Sequence, residues 1–180
     1  GMPEGIKAID TWVNLNPPGG REPAALTSHL RDQESRGDVV PVGYLFPGVR
    51  ERIAHGTSAE QMVELMDQAG IEKGVLAVAA DDPEPALKAM EKFPDRLVGA
   101  VRLNPHNGMA EVRKLESLVK SYNIKAAKVS AHTIQKPYND KIYYPIYAKC
   151  IELDIPITAN VGFPGPRVLA ESQNPMYLDE

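Results

Sequence analysis

A parallel α/β sheet built from successive βα units is what this sequence predicts, on three observations. The run Gly74-Val-Leu-Ala-Val-Ala-Ala80 is apolar without alternation, as a strand covered on both faces requires. Predicted strands start near residues 74, 97, 125 and 155, spaced by 23 to 30 residues, the period of a strand plus its crossover helix. Between them lie amphipathic stretches with helix start and stop signals of their own.

Each element follows from local chemistry. Residues 6–14, Ile-Lys-Ala-Ile-Asp-Thr-Trp-Val-Asn, read as a short buried strand with a polar exit. Residues 15–57 read as a long loop, because Pro17, Pro18, Gly19, Gly20, Pro41, Gly43, Pro47, Gly48 and Gly56 interrupt any continuous structure; a short helix fits only near Glu22 to Gln33. Ser58 and Gln61 form a capping box, Met62, Val63, Leu65, Met66 and Ala69 give the apolar face of a helix, and Gly70 ends it. After the strand at Gly74–Ala80, Asp81-Asp82-Pro83 introduces a helix over Glu84 to Lys92. A strand from Leu97 to Leu103 then exits at Asn104-Pro105-His106. A helix over Met109 to Tyr122, a strand from Lys125 to Ser130, a helix over Asp140 to Leu153 and a strand from Ile155 to Val161 complete the series.

Composition narrows the function classes. With 180 residues, 43% of them hydrophobic, the chain suits one domain with a substantial core. A net charge of −4 with mixed signs gives neither a basic stripe for nucleic acid nor a polybasic tail for lipid, so a small-molecule partner is expected, and no nucleic acid or membrane. Cys150 is alone, reads as a small buried hydrophobe, and suits a reducing compartment. No apolar run approaches the roughly 20 residues of a membrane span, and the N-terminus lacks a signal-peptide pattern, so a cytoplasmic location is the expectation.

Barrel topology is favoured over an open nucleotide-binding sheet, because neither GxGxxG nor GxxxxGK[ST] occurs. The expected architecture is a set of TIM-barrel-like parallel (β/α) units over residues 1–180, an incomplete barrel of about five strands. Several landmarks in order carry a resemblance: Ile9-Asp10, Gly70-Ile-Glu-Lys-Gly-Val75, Phe93-Pro-Asp-Arg-Leu-Val-Gly99, Ala127-Lys128-Val129, Tyr144-Pro-Ile-Tyr-Ala148 and Leu153-Asp-Ile-Pro-Ile-Thr-Ala-Asn160-Val-Gly162. Together they resemble the amidohydrolase-related family of metal-dependent TIM-barrel hydrolases and non-oxidative decarboxylases, such as aminocarboxymuconate-semialdehyde decarboxylase. The resemblance covers the first five of that family's eight βα units.

The resemblance implies a divalent metal, commonly zinc, held by a His-x-His pair on the first strand and a histidine at the end of the fifth. Here those positions are Trp12, Asn14 and Asn160, so no metal ligand is assigned, and a metal enters only if a non-standard site exists. The catalytic candidates at the strand exits are Asp10, Lys128 and His132. Lys128 stands where related metalloenzymes can carry a carbamylated lysine, and His132 is a candidate base near neutrality. Substrate-contacting candidates are Trp12, Asn14, Arg50, Asn104, His106 and Asn160, with Arg50 suited to a substrate carboxylate. Against each stands a plainer role: a capping carboxylate, a paired lysine, a solvated loop histidine or surface arginine. Tyr138, Tyr143, Tyr144 and Tyr147 read first as helix packing.

Two readings stay open. One is an amidohydrolase-like hydrolase or decarboxylase of a small carboxylated, aromatic or lactone, substrate, with metal dependence in doubt. The other is a metal-free, non-catalytic binding descendant. The first and fifth strands are apolar for sheet edges, which predicts a homo-oligomer or other self-association unless the segment from Gly162 to Glu180 folds back over an edge.

Overall fold

The computed structural model describes residues 5–18, 29–36 and 43–179. Five strands form one parallel sheet in chain order: β1 (Ala8–Val13), β2 (Ile71–Ala79), β3 (Leu97–Arg102), β4 (Ile124–Val129) and β5 (Ile157–Ala159). This is the curled, incomplete TIM-barrel-like sheet that the sequence predicts. Among the described residues six α-helices accompany it: α1 (Val49–His55), α2 (Ala59–Ala69), α3 (Glu84–Lys92), α4 (Met109–Ser121), the single turn α5 (Ala131–Ile134) and α6 (Tyr144–Glu152).

The predicted helix punctuation is present. Ser58 and Gln61 make both bonds of the capping box, and Gly70 ends α2 with φ of 75°. Two apolar positions of that helix, Leu65 and Ala69, nevertheless face solvent, so the buried face is Met62, Val63 and Met66. The helix α1 falls inside the predicted loop. Gly48 and Gly56, both at positive φ, bracket seven residues without a breaker. The breakers bounded that helix rather than abolishing it. Of the short helix expected over residues 22–33, residues 22–28 lie outside the described residues, and 29–33 form turn and bend.

The end strands are shorter and more exposed than the sequence suggests. β1 is not a buried strand: Val13 alone is buried, while Ile6 and Ile9 are 55% and 60% exposed. β5 keeps three residues of the seven expected. Pro156 has no N–H to give a ladder, and the Asn160 carbonyl accepts from the Tyr138 hydroxyl and from Gln173 Nε2 instead of from a strand. The chain after β5 folds back over this end, where the Gly162 N–H donates to the Gln173 carbonyl.

The core lies between the sheet and its helices. Leu76, Val78, Val101, Ala127 and Val129 pack with Met62, Met66, Leu87, Met90, Val112, Leu115 and Ile146. The tyrosine cluster belongs to this layer, as read: Tyr138 and Tyr143 are buried, and Tyr143 and Tyr147 stack with ring centroids 5.8 Å apart. Cys150 is buried in the same layer. The layer is tightly filled at Gly99, where a Cβ would lie 2.3 Å from Ile124 Cδ1 and 3.1 Å from both Met90 Sδ and Val78 Cγ2.

Two predictions follow from this packing. Gly99→Ala overfills the contact and lowers stability by about 2–3 kcal/mol in urea denaturation, whereas an unchanged midpoint would mean that the layer is loose. Among the described residues β1 pairs only with β2 and β5 only with β4, so both edges carry unmatched backbone groups. Light scattering coupled to size exclusion should show association of the 180-residue chain; a monodisperse monomer would mean that the edges are blunted.

Candidate functional site

Strand side chains alternate between faces, and level residues in neighbouring parallel strands share one. The register sets Ala79, Arg102, Lys128 and Thr158 level across β2 to β5, with Ala77, Ala100 and Ala126 level below them. None of these belongs to the helix-side core, so both rows lie on the opposite, concave face of the sheet. Three alanines thus form a floor, and the row above it brings an arginine and a lysine on adjacent strands.

Lys128 is the unusual member. It is 1% exposed, and its Nζ is buried without a hydrogen-bond partner. The amine lies 2.7 Å from the centroid of the Trp12 ring, which covers it and is itself 42% exposed. Burial lowers the affinity of this amine for a proton, the Arg102 cation lowers it further and the Asp10 carboxylate opposes both, so its pKa falls to about 7. The ring face of Trp12 acts in the same sense as Asp10, since it attracts the protonated form.

Asp10 also shapes the strand that delivers Trp12. Its Oδ1 accepts the Trp12 backbone N–H at 2.8 Å, across the stretch where the β1–β2 register slips between Asp10 and Val13. That irregularity leaves Val13 in the core and Trp12 over Lys128. Asn14, the next candidate, is half-buried just past the strand.

The exit of β4 carries a second orphaned nitrogen. His132 sits on α5, half-buried, with Nδ1 shut away from any partner, and burial keeps its pKa below the usual imidazole value. At neutral pH it is a neutral base. His106 is exposed, and its Nε2 contacts the Ile134 carbonyl at 3.2 Å, which ties the β3 exit to α5.

Two other candidates, Asn104 and Asn160, carry hydrogen bonds that join strand exits and loops. Asn104 Oδ1 accepts the His106 N–H at 3.1 Å, and its own N–H donates to the buried Glu111 carboxylate at 2.8 Å. Asn160 Oδ1 accepts the Ser130 hydroxyl at 2.9 Å, and its carbonyl accepts Tyr138 Oη at 2.6 Å and Gln173 Nε2 at 3.0 Å. Tyr138 Oη in turn accepts the Ala131 N–H at 3.1 Å, so one phenol joins the exits of β4 and β5. Arg50 lies exposed on α1, in the connection after β1. A separate open groove of about 520 Å³ beside α1 and α2 is lined mainly by exposed side chains, Glu51, Arg52, His55 and Gln61 among them, and holds no buried titratable group.

The structure therefore gathers Trp12 and Lys128, with Asp10 and Arg102 acting on the amine. Sequence reading passed over Arg102. Counting back from the exits of β3 and β4 would have set it level with Lys128, because Arg102 precedes Leu103-Asn104 as Lys128 precedes Val129-Ser130.

The shifted amine makes stability depend on pH. In the unfolded chain Lys128 stays protonated up to the ordinary lysine range near 10.5, and in the folded chain only below about 7. Between these values the unfolded state binds more protons, so folding gains stability as pH rises. Relative to Lys128→Met, the wild-type chain should gain about 2–4 kcal/mol in urea unfolding between pH 7 and 10. A difference that stays flat across that range rules out the buried amine.

Solved structures share this fold. The chain is 18% identical to 5-carboxyvanillate decarboxylase from Novosphingobium aromaticivorans, a crystal structure with bound manganese, over 91% of this chain and 53% of that one, with a TM-score of 0.64. For 2,6-dihydroxybenzoate decarboxylase from Rhizobium the values are 15%, 96%, 60% and 0.60. For a probable 2-pyrone-4,6-dicarboxylic acid hydrolase from Acinetobacter baumannii with citric acid bound they are 14%, 87%, 50% and 0.53. The chain spans about half the length of these structures. No curated protein matches it significantly. The family model described as amidohydrolase matches residues 9–180, nearly the whole chain, and the chain belongs to the amidohydrolase family.

Proposed function

We propose that the chain contributes the substrate-facing part of a hydrolase or non-oxidative decarboxylase that acts on a small carboxylated compound, aromatic or lactone. The observation that carries this reading is the buried, unbonded Lys128 amine next to Arg102 on the concave face. A buried amine without a partner costs free energy, and such groups concentrate at functional sites. The solved relatives, whose names describe decarboxylation of aromatic carboxylates and hydrolysis of a pyrone dicarboxylate, support the substrate class.

Each residue then has a chemical role. Arg102 offers a guanidinium to the substrate carboxylate, a pairing it makes with two parallel bonds. The Trp12 ring offers a flat apolar surface to an aromatic or lactone ring. Lys128, able to gain or lose a proton near neutrality, delivers a proton to the carbon that loses CO2, and His132 is available as a neutral base at the same exit. Asp10 positions Trp12 and steadies the protonated state of Lys128. Asn14, His106 and Asn160 border the exits, the last through the network that holds β4 and β5 together.

A divalent metal does not fit the donors around Lys128. Asp10 brings one carboxylate, already bonded to the Trp12 N–H, while Lys128 and Arg102 bring positive charge and Trp12 covers the amine. Among the described residues no three His, Cys, Asp or Glu side chains gather into a possible ion site. The proposed roles therefore route no step through zinc or manganese. The indole seated on the amine favours a second reading, a site that binds carboxylates without turning them over.

The test is a panel of hydroxybenzoates, keto acids and pyrone carboxylates, followed by CO2 release and ultraviolet absorbance, in chelator and with added manganese or zinc. Turnover that survives chelator is expected, with Arg102→Ala raising KM about tenfold or more for the loss of one charged pair. Binding without turnover selects the second reading. Neither binding nor turnover on any carboxylate overturns both.

A further inference from the structure

We propose that Lys128 is an imine-forming lysine whose amine condenses with the keto or aldehyde carbon of a small carbonyl acid, while Arg102 holds that acid's carboxylate. The inference deepens the reading of the concave face as a carboxylate site and rests on it. It names a substrate class, carbonyl acids, that the aromatic carboxylates of the solved relatives do not suggest.

Three observations converge on it. Lys128 Nζ makes no hydrogen bond and lies in a water-poor setting, so the lone pair of the neutral amine is not engaged by a donor. Burial and the cation on the next strand both hold the amine neutral, the two environments that activate a nucleophilic lysine. The row below is Ala77, Ala100 and Ala126, so the concave face beside the amine is built from small side chains. The groups acting on this nitrogen are Asp10 from β1, Trp12 from β1 and Arg102 from β3. Trp12, half exposed, is the cover: it shields Nζ at 2.7 Å and must turn aside for a carbonyl carbon to reach it.

The step balances without an oxidant or a reductant. The Nζ lone pair adds to the carbonyl carbon, and the oxygen takes up a proton to give a carbinolamine. Loss of water leaves the C=N bond, so amine and carbonyl become imine and water. Where the acid carries its carboxylate β to the carbonyl, the protonated imine accepts the electron pair of the breaking C–C bond as CO2 departs. The resulting enamine takes a proton on carbon, and water then hydrolyses the imine to release the ketone and restore the amine. This route decarboxylates by covalent catalysis among donors that do not suit a metal.

The experiment is reductive trapping on the whole chain. Protein at pH 7.5 is incubated with acetoacetate or glyoxylate and cyanoborohydride, then read by intact mass and peptide mapping. The expected result is one adduct on Lys128, formed about 100-fold faster than on the exposed Lys73, Lys125 and Lys141. Lys128→Met abolishes it, and Trp12→Ala, which uncovers the amine without removing it, accelerates it. Adducts spread over the surface lysines with Lys128 unmodified, in both the wild type and Trp12→Ala, overturn the proposal even if Lys128→Met fails to fold. Hydroxybenzoates, which have no ketone to condense, separate the two readings: turnover of these without trapping sinks the imine alone, and trapping without their turnover sinks the phenolic-carboxylate reading alone.

Discussion

The candidate site depends on one constraint, the register that holds Ala79, Arg102, Lys128 and Thr158 level across four parallel strands. Because level residues point the same way, that register alone brings two basic side chains onto adjacent strands of the concave face. Sliding one strand by a single residue would send Lys128 into the helix-side core, where Val129 and Ala127 now pack. The close seat of Gly99 against Met90 and Ile124 opposes such a slip, so packing on one face fixes chemistry on the other.

The second support is the irregularity in β1. A regular strand would keep stepping in register with β2, but the slip between Asp10 and Val13, held by the Asp10 carboxylate, sets Trp12 over the amine. The indole then does what a hydrogen-bond acceptor would otherwise do for a buried amine, at lower strength and without fixing the direction of its lone pair. A polar group kept buried in this way is held less firmly than one in a satisfied network, which suits the proposed reactivity of that atom.

Much of the fold was legible in the sequence. Gly74–Ala80 announced a strand covered on both faces, Ser58-x-x-Gln61 and Gly70 marked the ends of one helix, and the βα spacing gave the parallel order. Less legible were the ends of the sheet. Apolarity at Ile6, Ile9 and Val161 looked like burial, yet these side chains are exposed, since composition cannot say whether a neighbour covers a strand. Lys128, Asp10 and Trp12 were legible as site candidates by their place at strand ends. Arg102 was not, because its meaning lies in the residue beside it on the next strand, which only register reveals. The architectural roles of Asn104 and Asn160 were hidden for a similar reason: their partners lie between 2 and 30 residues away, at spacings that no hydrophobic periodicity reports.

The alanine floor has a consequence for how such a chain changes over time. Ala77, Ala100 and Ala126 offer a ligand neither charge nor bulk, so whatever distinguishes one compound from another must come from the rim. Replacing a rim residue, as histidine by Trp12 or Asn14 relative to the metal-binding pattern, leaves the floor and the helix-side packing untouched. The proposed chemistry is thereby uncoupled from the scaffold: substitutions at the lip of the sheet can alter it without first rebuilding the interior.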